Sequence, residues 1–339
     1  MSEAPELEAA LWAELSRLRI PARPVVLPTP WRVGPITAYL FGEDPVTLVD
    51  TGVDTAETRR AWQATLDDAK LTPRDVRRIV VTHGHTDHFG CAAWFQEASG
   101  CEVLLHRDDA DSLELSDDWR EAERSVFEPL GVSAEVKERL FSSDGDWDMP
   151  AKPRFTYIDG DEVVNAGSTR LRLEHHPGHT PGHIWAIEEV TGAIFCGDFL
   201  LASSPTSAGL ELDAVHPLGR KPLLAAYNAG LRELAARDVP VLLPAHGPPI
   251  VDHAELIDRR LRKTERRTER VWEALRDGGP ASAGELAERM FGERLGVNAW
   301  GLLSDTANRL DLLYDSGRVV ARHGDDGVLT FDIERSTDG

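Results

Sequence analysis

Val80-Val81-Thr82-His83-Gly84-His85-Thr86-Asp87-His88-Phe89-Gly90 places four side chains able to ligate a metal, His83, His85, Asp87 and His88, within six positions. The run Arg78-Ile79-Val80-Val81 reads as a short buried strand that delivers them to its C-terminal end. Imidazole is a preferred nitrogen ligand of zinc and carboxylate completes a hard or borderline site. An H-x-H-x-D-H array therefore supplies most of two metal centres. Neither packing nor solubility calls for such crowding.

Three further fragments follow in order. They are His179 in His176-Pro177-Gly178-His179-Thr180-Pro181-Gly182-His183, Asp198 in Phe195-Cys196-Gly197-Asp198, and His246 in Leu243-Pro244-Ala245-His246-Gly247. With the first array they resemble the signature of the metallo-β-lactamase superfamily, over residues 25 to 250. The resemblance implies an α/β fold, a four-layer αββα sandwich, with His83, His85 and His179 on one divalent metal ion and Asp87, His88 and His246 on a second. Asp198 would bridge the two, and a metal-bridging hydroxide would attack an acyl carbonyl or a phosphorus centre. Asp87 and Asp198 are the implied catalytic carboxylates, orienting the nucleophile or handling its proton. Zinc is the first choice by ligand type, and iron or manganese accept the same donors. His183 is a candidate to face the substrate or to back a ligand, and Asp50, in the family-like turn Asp50-Thr51-Gly52, either supports a ligand or caps the turn.

At 339 residues the chain is long enough for one large α/β domain and a small appendage. Its formal charge of −21 weighs against tight binding to a polyanion, which needs clustered Lys and Arg. Cys91, Cys101 and Cys196 are too few, and odd in number, for a disulfide framework, which points to a reducing cytoplasm. No apolar stretch approaches a membrane span, and the start Ser2-Glu3-Ala4-Pro5-Glu6 has the wrong charge for a signal peptide. There is no Gly-rich phosphate loop, dinucleotide fingerprint or G-x-S-x-G elbow.

The organisation follows from periodicity and punctuation. Residues 1–24 hold an amphipathic helix with Leu7, Leu11, Leu15 and Leu18 at helical spacing, whose role is packing. Residues 25–252 form the catalytic domain, opening with β-rich runs at Val25–Leu27, Ile36–Phe41 and Val46–Val49. Thr72-Pro73 is a second helix start after the helix Thr55–Ala69. A helical insertion at about 108–154, acidic and close behind the ligand loop, is expected to lie beside the metal site, with Trp147, Met149 and Phe155 as candidates for an apolar wall or as anchors. The long loop Phe199–Pro222 is expected to be functional, with Arg220 and Lys221 as candidates for a substrate carboxylate or phosphate and Tyr227 as a residue reaching the cleft.

From 253 to 339 a charged linker helix, two further helices and a hairpin follow. This resembles the small winged-helix domain on one branch of the superfamily, which includes a β-lactamase-like endoribonuclease. Arg259 to Arg270 carry seven basic residues, but residues 280–330 hold five Arg, no Lys and eight acids, a poor balance for DNA. The unit is expected to pack on the core or to form part of a homodimer. Two activities compete: hydrolysis of a small-molecule ester, thioester or lactone, and, as the alternative, single-strand-specific RNA cleavage with the basic helix as a track.

Overall fold

The computed structural model of the protein describes residues 3–31, 33–110, 113, 125–142, 150–203, 206, 208–296 and 298–334. After helix α1 (Glu3–Leu18), strands β1 (Arg23–Leu27), β2 (Ile36–Phe41) and β3 (Val46–Val49) form an antiparallel meander. Strands β4 (Val76–Val80), β5 (Glu102–His106) and β6 (Phe155–Ile158) then add in parallel, so that the six strands stand in chain order. Between them run α2 (Ala56–Asp68), the one-turn α3 (Thr86–Phe89) and α4 (Ala92–Ser99). Every residue of β2 and β3 is buried, as expected for strands covered on both faces. Thr55 caps α2 by accepting the Thr58 N–H at 3.1 Å. The expected second helix at Thr72-Pro73 is a single 3₁₀ turn, Pro73–Asp75, because Asp75 turns back to accept from the Thr72 N–H and β4 begins at once.

The second sheet holds β7 (Val163–Ala166), β8 (Thr169–His175), β9 (Ile184–Glu188), β10 (Ile194–Gly197) and β11 (Leu242–Pro244), in the order β11-β10-β9-β8-β7. The two sheets pack face to face. Tyr39 and Phe41 meet Phe195 edge-on at 4.6 and 5.6 Å, and Leu11 and Leu15 of α1 close this core. On the outer face of the first sheet Trp62 of α2 packs edge-on against Phe95 of α4 at 5.2 Å. The short helix α5 (Ala134–Ser142) precedes β6, and α6 (Leu223–Ala235) covers Trp185 and Phe199 on the outer face of the second sheet. Helix, sheet, sheet and helix make the four expected layers.

The C-terminal unit runs α7 (His253–Gly278), β12 (Ala281–Ser282), α8 (Ala283–Phe291), α9 (Ala299–Asp315), β13 (Val319–His323) and β14 (Leu329–Ile333), with a three-stranded sheet in the order β12-β14-β13. A capping box starts α8: Ser282 Oγ accepts the Glu285 N–H at 3.1 Å, and the Glu285 carboxylate accepts the Ser282 N–H at 2.9 Å. Phe127, Leu130, Val132 and Val136 of the insertion share one core with Leu275, Leu286, Leu310 and Phe331 of this unit. Residues 125–142 of the insertion therefore dock on the C-terminal unit, while its start lies at the edge expected for the metal site, where the Asp109 carboxylate accepts from the N–H groups of Gly84 and Gly182. Trp147 and Met149 lie outside the described residues. Phe155 is an anchor rather than a substrate wall, its ring edge-on to Phe89 at 5.8 Å within the core under α4.

The loop after β10 joins both parts. It sends Phe199 and Leu200 into the core beneath α6, and Leu210 and Leu218 into the C-terminal core. Arg220 is buried and forks onto Asp311 of α9, at 2.9 Å from Nε and 2.5 Å from Nη2. This corrects the reading of Arg220 as a substrate residue, since its guanidinium is spent on a carboxylate it must neutralise. Lys221 follows it, half-buried, with its backbone N–H donating to the Glu211 carbonyl at 2.8 Å. The three cysteines are free and buried. Among the described residues no helix is long and apolar enough to cross a membrane.

Breaking a buried ion pair strands a charge. Arg220→Met is expected to cost about 3–5 kcal/mol in urea unfolding, and the double change Arg220→Met with Asp311→Leu to recover most of that loss.

Candidate metal centre

Five strand ends open on one edge of the sandwich, and each carries part of the site. Thr82 to His88 follow β4, with His85 as the residue before α3. His176 to His183 link β8 to β9, Asp198 follows β10 and His246 follows β11. Gly90 lets the α3 turn lie against the turn after β3, since a Cβ there would sit 2.5 Å from the Thr86 carbonyl oxygen and 2.8 Å from that of Gly52. Gly178 holds φ at 153°, and a side chain there would meet the Tyr227 Cβ at 2.6 Å. Tyr227 is thus a buried prop under the His179 turn, its hydroxyl donating to the Phe199 carbonyl at 2.8 Å, which corrects its reading as a cleft residue.

The structure brings all seven expected ligands together. His83, His85 and His179 form one triplet and Asp87, His88 and His246 another, and within each the donor atoms lie no more than 4.8 Å apart. His83 Nε2 is 2.9 Å from His85 Nδ1, and His179 Nε2 is 3.1 Å from the same atom. Asp198 stands between the triplets: Oδ2 is 3.7 Å from His179 Nε2, while Oδ1 is 3.8 Å from both His88 Nε2 and His246 Nε2.

Neighbours aim these rings. The Asp50 carboxylate accepts from the Thr82 N–H at 2.8 Å, from the Thr82 hydroxyl at 2.8 Å and from His88 Nδ1 at 2.8 Å, which turns His88 Nε2 into the site. Asp50 is therefore a ligand support. His246 Nδ1 donates to the Pro35 carbonyl at 2.9 Å, with the same effect on its Nε2. Sequence reasoning missed Asp109. This fully buried carboxylate, just past β5, accepts from the N–H of Gly84 at 2.7 Å, the N–H of Gly182 at 2.5 Å and the Thr180 hydroxyl at 2.8 Å. It ties the His83–His85 loop to the His179 loop. The one signal in the sequence was its place immediately behind a strand end, in His106-Arg107-Asp108-Asp109. His183 is fully buried and stacks on His83 at 5.1 Å, so it backs a ligand and does not face substrate, which corrects that reading.

The donor set fits divalent cations. Burial, reinforced by the neighbouring imidazoles, pulls His83 far down, so its ring is neutral and offers a lone pair. Burial also acts against a charged His88, but the carboxylates of Asp50, Asp87 and Asp198 outweigh it and raise that ring to about 10. The carboxylates demand a positive charge, and a proton on His88 is the weaker substitute for a metal ion. His88 Nε2 and Asp198 Oδ1 are buried without a hydrogen-bond partner among the described residues, and both point to where the triplets meet.

Asp109→Asn keeps the shape but turns one acceptor into a donor facing N–H groups. Its metal affinity, measured by chelator competition, is expected to fall about 10–100-fold with the fold retained.

Comparison with known proteins agrees with this geometry. Residues 31–246 match the family described as the Metallo-beta-lactamase superfamily. The chain is 29% identical over 293 residues to a probable metallo-hydrolase, YqjP, of Bacillus subtilis (strain 168), a match covering 85% of this chain and 90% of that protein. It is 25% identical over 299 residues to the atrochrysone carboxyl ACP thioesterase AgnL7 of Paecilomyces divaricatus, covering 88% of this chain and 77% of that one. A crystal structure of a metallo-beta-lactamase family protein from Thermus thermophilus shares the fold with a TM-score of 0.73 at 24% identity, over 93% of this chain and 99% of that one. With the family match spanning more than half its length and the family's donor residues meeting at one sheet edge, the chain is a hydrolase of the metallo-β-lactamase superfamily.

Proposed function

We propose that the protein is a binuclear metal-dependent hydrolase of a small ester, thioester or lactone. His83, His85 and His179 hold one ion, Asp87, His88 and His246 hold the other, and Asp198 serves both. The observation that carries this reading is the pair of buried unpartnered atoms, His88 Nε2 and Asp198 Oδ1, at the meeting point of two three-donor clusters. Bound there, two divalent ions, zinc by preference with iron or manganese suited to the same donors, supply Lewis acidity toward a carbonyl and draw the pKa of water toward about 7.

The chain's own groups do the positioning. His83 and His88 are fully buried, Asp87 and Asp198 keep 9% and 8% of their surface, and His85 is exposed with His179 half-buried, so water enters past His85 and His179. Burial alone would raise the Asp87 carboxyl, but His88 and the hydrogen bond from His246 hold it well below the usual range. Asp87 is thus ionised throughout the neutral range and accepts a hydrogen bond from the attacking water, orienting its lone pair. Asp198 is placed to take part in the same task on the other side.

A thioester has added support from the thioesterase among the relatives, which aligns with most of this chain. The C-terminal unit is read as winged-helix-like from its helix, strand, helix, helix, strand, strand order. Three of the seven basic side chains from Arg259 to Arg270 of its long helix are paired with acids, Arg259 with Glu255, Arg262 with Asp258 and Arg267 with Asp305, which together with the net charge of −21 weighs against RNA. Free buried thiols suit the reducing, cytoplasmic setting expected for it.

The test is release of thiol or acid from a panel of small thioesters, esters and lactones by metal-loaded protein. Asp87→Ala is expected to lower kcat/KM by roughly 10²–10³-fold with an unchanged far-UV spectrum. Metal-loaded protein that leaves the whole panel intact overturns the reading. Cleavage of labelled single-stranded RNA by the wild type but not by Asp87→Ala would replace it with the nuclease.

A further inference from the structure

A cleft of about 370 Å³ starts at the imidazole of His246 and runs outward between α1 and the β1–β2 turn. That volume is at the small end of ligand sites, which span about 300–1,000 Å³. Leu7 and Ala10 of α1 form one wall, Val33 and Pro35 the other, and Pro248 lies beside His246 at the inner end. Among the described residues the polar side chains lining it besides His246 are Glu6 and Ser203. Sequence periodicity gave α1 a packing role, and Leu11 and Leu15 do pack into the core between the sheets. Leu7 and Ala10 are only half buried, on the side that faces the cleft.

We propose that this cleft receives the aliphatic acyl chain of the substrate, and that α1 sets the chain length accepted. The inference deepens the hydrolase reading and rests on it for the position of the scissile carbonyl. Three features select an aliphatic occupant. The cleft is lined at its inner end by the ligand His246, so a group bound in it lies beside the metal centre. Leu7, Ala10, Val33, Pro35 and Pro248 offer such a group dispersion contact. The charged group among the described lining residues is the Glu6 carboxylate, on a chain of net charge −21, which disfavours an occupant ending in a carboxylate or phosphate. The hairpin wall is also tied to the centre, because the Pro35 carbonyl that orients His246 belongs to it.

The experiment compares three variants. Ala10→Trp fills the cleft, Ala9→Trp puts the same bulk on an exposed neighbour outside it, and Glu6→Lys reverses the charge of the lining. With acyl thioesters from acetyl to decanoyl, Ala10→Trp is expected to lower the octanoyl-to-acetyl ratio of kcat/KM about tenfold or more, while Ala9→Trp keeps the wild-type ratio. Glu6→Lys is expected to improve a chain ending in a carboxylate, such as suberoyl, about two- to fivefold relative to octanoyl. An unchanged ratio in Ala10→Trp, or the same fall in Ala9→Trp, overturns the assignment. If thioesters of every length stay intact, the activity reading has failed, and the cleft is judged separately by calorimetric binding of octanamide, a neutral chain that is not turned over. There Ala10→Trp is expected to weaken the dissociation constant about tenfold relative to wild type, and equal binding, or none by the wild type, overturns the cleft as an acyl site.

Discussion

Four carboxylates, those of Asp50, Asp87, Asp109 and Asp198, are buried within one edge of this protein, and the rest of the architecture answers to their charge. An unpaired buried charge costs several kcal/mol, so each must find donors or a cation. Asp109 has its three donors from two loops, and Asp50 has the Thr82 backbone, the Thr82 hydroxyl and His88. Asp87 and Asp198 face mainly histidine rings, and burial holds one of those nearby, His83, neutral. The imbalance left over is what bound divalent metal would correct, and it explains why the burial that suppresses His83 fails to suppress His88.

Such a cluster exists only because rigid elements deliver it. The two sheets hold their strand ends at fixed separations, and the loops that follow are short and bonded to one another. Asp109 bridges the loop after β4 and the β8–β9 loop, and Asp50, in the left-handed region at φ 59°, bridges β3 to the loop after β4. A non-glycine residue in that conformation is costly, and it persists because three hydrogen bonds over-determine the turn. Removing either carboxylate releases a loop, so their effects on metal binding follow from geometry without contact to the ion.

The appended C-terminal unit serves a different end. Its core takes in residues 127–136 of the insertion between β5 and β6, its helix α9 clamps Arg220, and Arg259 and Arg262 of α7 pair with acids one turn away. These contacts make it a brace on the loop that follows Asp198. The substrate side is left to α1 and the β1–β2 turn, at the opposite end of the chain, which close on His246.

Local chemistry was enough to determine a good deal. Metal-ligand residue types concentrated at strand ends, alternation of β-rich and helical runs, and caps such as Ser282 are signals written within a few residues of where they act, and the resemblance those motifs carry to the metallo-β-lactamase superfamily implied the four layers and the seven donors that converge. Partnership between distant segments was not. Arg220 and Asp311 are separated by 91 positions, Asp109 and Gly182 by 73, and nothing in either neighbourhood names the other. An arginine on a loop looks the same whether it meets a substrate or a buried carboxylate, and an amphipathic helix shows which face is apolar but not that part of that face lines a cleft. Only the tertiary structure decided those matters, because burial and pairing are properties of the space between elements, and the order of residues along one element does not encode that space.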